Sequence, residues 1–161
     1  GLNALAGHTA ILRERPGPPC ILTPHPGEMA RLAGTSVAEI EADRVGIARR
    51  FAQENNVVLL LKGARTVIAT PEGRVSINGS GNAGLASGGT GDVLSGLIGG
   101  LLAQGLTPAD AAVLGCYLHG LAADRLARLH GTAGLTAGDL LRELPAARNE
   151  LQQRGTCYAQ G

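Results

Sequence analysis

Asn78-Gly79-Ser80-Gly81-Asn82-Ala83-Gly84-Leu85-Ala86-Ser87-Gly88-Gly89-Thr90-Gly91-Asp92 runs directly into Val93-Leu94-Ser95-Gly96-Leu97-Ile98. A glycine-dense loop thus ends on one carboxylate and passes at once into an apolar helix. Gly88, Gly89 and Gly91 lack a Cβ, so the backbone can turn sharply and bring its N–H groups close to a ligand. Amides at a helix start have no intrahelical acceptors and sit at the positive end of the dipole, so they attract anions. Asp92 would repel a phosphate held there unless it has another task. The economical task is to accept a proton from a hydroxyl that attacks the bound phosphoryl group.

Outward from this loop, strands and helices alternate. Val57-Val58-Leu59-Leu60-Leu61 is a continuous apolar run ending at Lys62-Gly63, as suits a central strand covered on both faces. Thr66–Ala69 and Arg74–Ile77 flank Pro71-Glu72-Gly73, a hairpin signal. Cys20–Thr23 reads as a short strand after the breaker Pro16-Gly17-Pro18-Pro19, and Pro24–Glu28 as a rigid turn before a short helix that begins at Met29. A weak helix is expected over Leu2–Leu12, with Leu2, Leu5, Ala6 and Ile11 on one side. A capping box at Ser36–Glu39 opens a helix to about Gln53, with Ile40, Val45, Ile47 and Phe51 inward. Thr107-Pro108 caps a helix reaching about His130, where Gly115 allows close backbone approach. Thr136 caps a last short helix ending near Leu144, and Arg148–Gly161 reads as frayed. The pattern predicts an open, mostly parallel α/β sheet flanked by helices. Ligands of such sheets sit beyond the carboxyl ends of the strands, so the loops after Leu22, Leu61 and Ile77 are candidates for one site.

Bulk properties narrow the function. The chain has 161 residues, with 14 basic against 13 acidic. That balance argues against nucleic acid or an anionic membrane as the main partner. One Phe, two Tyr and no Trp leave little for base-stacking platforms. Cys20, Cys116 and Cys157 are widely spaced and read as small thiols in a reducing compartment, neither a metal site nor a disulfide framework. The expectation is a soluble, cytoplasmic chain that forms part of a larger domain.

Familiar phosphate motifs fit poorly. Gly79–Gly84 literally matches G-x-G-x-x-G, but the strand before it looks like a hairpin arm and the helix starts several residues late. No Gly-Lys-Ser/Thr follows the glycines, so it is not a Walker A loop. Lys62 reads either as a snorkelling surface lysine or as a cation beside nucleotide phosphates, with Gly63 and Ala64 leaving room for backbone contact. His25, between two prolines, is held rigidly on its turn and is a candidate for function. Glu28 suits a helix start, where its charge is favourable. His8, His119 and His130 show no ligand spacing and read as structural or exposed. No metal-ligand cluster is evident.

Leu22-Thr23-Pro24-His25-Pro26-Gly27-Glu28-Met29-Ala30-Arg31-Leu32, then Leu61-Lys62-Gly63-Ala64, then Asn78–Asp92, closely resemble the ADP/ATP-dependent NAD(P)H-hydrate dehydratases. These are the carbohydrate-kinase-like family of the ribokinase superfamily. Leu85 and Ser87 stand where the family commonly carries methionine and threonine. The resemblance implies a ribokinase-like fold, of which residues 1–161 would be the carboxyl-terminal part of a single dehydratase domain. It implies that the nucleotide is held by Lys62, Gly63, Ala64, Arg65 and Thr66 and by Gly91, and that the substrate contacts His25 and Asp92. The implied reaction is ADP-dependent dehydration of the S-form of NADHX or NADPHX, regenerating NADH or NADPH with release of phosphate and AMP. The resemblance further implies ADP or ATP as co-substrate with Mg²⁺, an epimerase domain or partner, and a homo-oligomer such as a tetramer. Two other readings stand beside it. One is a kinase for a small alcohol such as a vitamin precursor. The other is an inactive nucleotide-binding fragment.

Overall fold

The computed structural model describes residues 1–158, with side chains through residue 154. Four strands, β1 (Cys20–Leu22), β2 (Val57–Leu61), β3 (Val67–Ala69) and β4 (Val75–Ile77), form one open sheet in the order β1-β2-β3-β4. β1 and β2 pair in parallel, with Cys20 opposite Val57. The pairings of β2 with β3 and of β3 with β4 are antiparallel, so the sheet is mixed where a mostly parallel one was expected. The reason is connector length. Residues 62–66 and 70–74 are too short for the crossover a parallel pair requires.

All five residues of β2 are buried, and the pleat sends them to two different layers. Val57, Leu59 and Leu61 pack with Met29, Ile40, Ala48 and Phe51, which come from α2 (Pro26–Ala33), α3 (Val37–Ala42) and α4 (Arg44–Asn55). Val58 and Leu60 join Ile68, Leu94, Ile98 and Ala112, on the side of α5 (Thr90–Ala103) and α6 (Pro108–His130). Gly115 has the expected role there. A Cβ on it would stand 2.6 Å from Ile98 Cγ1, so only glycine lets α5 and α6 approach this closely. A third cluster, including Leu121, Ala122, Leu126, Leu140 and Ala147, joins α6 to α7 (Ala137–Tyr158).

Several expected boundaries are corrected. The Leu2–Leu12 helix is a 3-10 turn at Leu2–Leu5 followed by α1 (Ala10–Glu14). Gly7, at φ +76°, turns the chain between them, and Ile11 faces out, 59% exposed. The helix from Ser36 splits at Asp43, whose backbone leaves the helical region at φ −140° and ψ 60°. Asp43 Oδ1 accepts the Gly46 amide at 2.8 Å and recaps the chain. The capping box itself is present. Glu39 N donates to Ser36 Oγ at 3.2 Å, and Ser36 N to Glu39 Oε2 at 3.0 Å. The last helix does not stop near Leu144 but runs through Pro145 to Tyr158. Arg125 of α6 clamps it, donating to Glu143 at 2.5 Å and Glu150 at 2.6 Å, and burial of Leu140 and Ala147 outweighs the proline's local penalty. The segment expected to fray is therefore helical through Tyr158, and its residues 159–161 lie outside the described residues. Among the described residues no helix is long and apolar enough to cross a membrane.

Candidate functional site

Two antiparallel reversals set β4 running in the same direction as β2. Leu61 lies opposite Val67 and Val67 opposite Ile77, so Leu61 and Ile77 end their strands at one edge. β1 is parallel to β2, so Leu22 points its following loop to that edge too. The three loops named from the sequence therefore converge.

The first loop is built around a histidine cap. His25 is the N-cap of α2, which begins at Pro26, in the proline turn itself, not at Met29. Its Nδ1 accepts the amides of Gly27 at 3.1 Å and Glu28 at 3.3 Å. Glu28 Oε2 returns the favour by accepting the His25 amide at 2.8 Å. This is a capping box with imidazole in the place of a hydroxyl. Because Nδ1 accepts, the hydrogen of the neutral ring sits on Nε2. The ring is half exposed, and Nε2 lies 3.5 Å from Glu28 Oε2.

The second loop is tied to the first. Lys62 N donates to the Pro24 carbonyl at 2.9 Å. Arg44 of α4 donates from Nη2 to the carbonyls of Leu61 and Lys62, each at 3.0 Å, satisfying the orphan acceptors where β2 ends. Gly63, at φ +146°, passes under this guanidinium. A Cβ on it would stand 2.8 Å from Arg44 Nη2, which is why the Lys-Gly step is needed. The Lys62 ammonium points back over the site, 4.0 Å from Glu28 Oε2. Ala64 and Arg65 are exposed in the loop beyond, Arg65 in the left-handed region at φ +60°. Thr66 is half-buried.

The third loop has two halves with different tasks. Its upstream half is bound to α6. Asp124 accepts the Gly81 amide at 2.8 Å and the Asn82 side-chain amide at 3.0 Å. Ser80 Oγ donates to the Tyr117 carbonyl at 2.9 Å. Gly120 makes the contact possible, since a Cβ there would stand 2.6 Å from the Ser80 carbonyl carbon. The downstream half is open. Gly89, left-handed at φ +84°, is the N-cap of α5, which begins at Thr90, two residues before Asp92. Among the described residues the amides of Gly88, Gly89 and Gly91 have no hydrogen-bond partner. Thr90 is buried, and its hydroxyl holds the turn through the carbonyls of Leu85 at 2.7 Å and Ser87 at 2.9 Å. Beneath it, buried His119 of α6 reaches the Thr90 carbonyl, with Nε2 at 2.9 Å.

Lys62, Gly91, Glu28 and His25 thus form one cluster. A Cβ on Gly91 would lie 3.3 Å from Lys62 Nζ. Asp92 stands in the first turn of α5, exposed, its carboxylate without a partner among the described residues. Arg44, Asp124, Gly120 and His119 carry no motif in the sequence. The one available signal was His119, a titratable residue set within the apolar run Val113–Ala123 of α6. A cavity of about 630 Å³ lies elsewhere, lined by residues such as Arg13, Asp43, Arg50, Phe51 and Glu54. Of the three motifs it touches only Leu32, and His25, Glu28, Lys62, Gly91 and Asp92 all lie outside it. Among the described residues no three His, Cys, Asp or Glu side chains gather as a metal cage.

An open α/β sheet with a glycine loop at a helix start and a lysine across from it defines a ribokinase-like protein. A solved ribokinase-like superfamily protein from Enterococcus faecalis superimposes with TM-score 0.66 at 32% identity, over 80% of this chain and 44% of that one. The family model for NAD(P)H-hydrate dehydratase matches residues 1–146. The chain belongs to the NAD(P)H-hydrate dehydratase family. It is 56% identical over 152 residues to a bifunctional NAD(P)H-hydrate repair enzyme, Nnr, of Moorella thermoacetica, covering 94% of this chain and 28% of that relative. A crystal structure of the ADP/ATP-dependent NAD(P)H-hydrate dehydratase from Bacillus subtilis, co-crystallised with ATP/Mg²⁺, superimposes with TM-score 0.80 at 40% identity, over 86% of this chain and 52% of that one. The chain therefore spans about a quarter of the curated relative and about half of the solved dehydratase.

Proposed function

We propose that this chain is the carboxyl-terminal part of a dehydratase domain that carries out ADP-dependent dehydration of the S-form of NADHX or NADPHX. NADH or NADPH would be regenerated, with release of AMP and phosphate. The observation that carries this is the meeting of Lys62 with Gly91 beside the His25–Glu28 turn.

A ring hydroxyl is a poor leaving group, and phosphorylation makes its departure easier. In this reading Lys62, Gly63, Ala64, Arg65, Thr66 and Gly91 hold the nucleotide. The free amides of Gly88, Gly89 and Gly91 and the Lys62 ammonium face the charge that develops on the transferring phosphoryl group. Asp92 takes the proton of the attacking hydroxyl, and AMP leaves as the P–O bond to it breaks. His25 offers its Nε2 hydrogen to the substrate, its Nδ1 being committed to the cap. The lone pair of the ring nitrogen then expels phosphate, and loss of a proton from the adjacent carbon restores the ring double bond. Bound Mg²⁺ would neutralise charge on the nucleotide phosphates, and Glu28 and Asp92 are the carboxylates on this rim that would help hold it alongside phosphate oxygens and water.

An epimerase domain or partner, a cytoplasmic location and a homo-oligomer, up to a tetramer, complete the reading on the strength of the family resemblance. The alternative, a small-alcohol kinase, would leave a stable phosphorylated product. Incubating the full-length parent with NADHX and ADP or ATP while following dihydronicotinamide absorbance distinguishes the two. Absorbance returns if the parent is a dehydratase, and its failure to return with either nucleotide rejects the reading.

A further inference from the structure

His119 belongs to no motif, yet it is buried in the middle of α6 directly under the open half of the glycine loop. Its Nε2 stands 2.9 Å from the Thr90 carbonyl. A carbonyl can only accept, so Nε2 carries the hydrogen and donates. Thr90 is the first residue of α5, flanked by Gly89 and Gly91, and its own hydroxyl is already spent on Leu85 and Ser87. The peptide unit that joins Thr90 to Gly91 is thus held by His119 from below, while the Gly91 amide on that same unit is one of the three left without a partner among the described residues. Burial pushes the imidazole pKa down; the Thr90 carbonyl works against this, and the Lys62 ammonium lowers it again. A neutral donor is what the place demands, because a second cation under the loop would repel Lys62.

We propose that His119 is a positioning residue. It fixes the Thr90–Gly91 peptide so that the Gly91 amide meets the phosphoryl group and Asp92 meets the acceptor hydroxyl. The assignment of what those two groups meet rests on the dehydratase reading above.

The test compares His119→Leu with His119→Gln in the full protein. Leucine keeps the apolar volume and removes the donor. The glutamine amide nitrogen reaches about as far as Nε2 and keeps it. For His119→Leu we expect kcat for hydrate repair to fall by roughly tenfold or more, with KM for the hydrate little changed, because orientation and not ground-state binding is lost. His119→Gln should stay within about threefold of the parent. A role in packing alone predicts the opposite order, since glutamine would then be the harmful replacement. Should the leucine variant not fold, His119→Asn, whose amide falls short of Thr90, replaces it with the same expectation. Amide hydrogen exchange over residues 85–93 supplies a second readout, expected to quicken in the donor-less variant only. Full kcat in that variant, or equal losses in both, overturns the proposal. If the parent repairs no hydrate with either nucleotide, the dehydratase reading fails by itself. Exchange then decides alone, and unchanged protection of residues 85–93 removes His119 from its role.

Discussion

The Lys62 ammonium stands 3.3 Å from the point where a Cβ on Gly91 would project, so the second residue of α5 is roofed by a cation from the loop after β2. Gly91 does not have a positive φ, so alanine suits its backbone and its helix. The Gly91→Ala protein should therefore melt at or above the parent temperature. Its methyl group would nevertheless push Lys62 aside and cover the amide. ADP affinity should fall about tenfold, or ~1.4 kcal/mol, by isothermal titration. Undiminished affinity would take Gly91 out of the nucleotide site.

Lys62→Ala removes the ammonium itself. A charge-assisted contact to phosphate is worth about 1.5–3 kcal/mol, so ADP binding should weaken by roughly one to two orders of magnitude. The same titration reads this, and a Kd equal to that of the parent rejects the lysine's assignment.

Asp92→Asn separates chemistry from binding. The exposed carboxylate supports no part of the fold that the structure shows, so stability should hold. Loss of a general base typically costs about 10²–10⁴ in rate. Turnover should drop on that scale while ADP still binds. Normal turnover would mean that another group takes the proton.

Gly120→Ala tests the seat of the glycine loop. The new Cβ would meet the Ser80 carbonyl carbon at 2.6 Å and the Gly81 nitrogen at 2.8 Å, both backbone atoms that cannot swing away. Overpacking of this kind costs about 1–3 kcal/mol, measurable by urea unfolding. Gly96→Ala, where nothing lies within 4 Å, is the control and should be neutral or stabilising. Equal midpoints for the two variants would show that the loop is not pinned on α6.

The Ser36–Glu39 box predicts an acid-sensitive step. Thr35, then the Ser36 amide and hydroxyl, hold the Glu39 carboxylate at a pKa of about 2 against the ordinary 4.5. A folded-state pKa below the unfolded one adds stability that is complete above 4.5 and is lost as pH falls toward 2. The parent should lose more stability over that window than Glu39→Gln in unfolding titrations. Parallel pH curves for the two proteins would sink this account.

The site was legible in the sequence to the extent that each loop is local. Ser36 and Glu39 cap one another three residues apart. The Pro24–Glu28 turn, the glycine loop and the all-buried run Val57–Leu61 are likewise short-range statements about backbone and burial, as is the family resemblance they carry. The placing of those loops at one edge also followed from the rule that ligands of open α/β sheets sit beyond the carboxyl ends of the strands.

What the fold alone decided depends on residues distant in the chain. Arg44 closes the end of β2 seventeen residues on. Asp124 claims the Gly81 amide across forty-three, which divides a uniform-looking glycine loop into an anchored half and an open half. His119 meets Thr90, and Arg125 keeps α7 intact past Pro145, by contacts that no local pattern encodes. Local rules act over a turn or two of backbone, whereas these pairings exist only once helices and sheet have packed and made neighbours of side chains the sequence holds far apart.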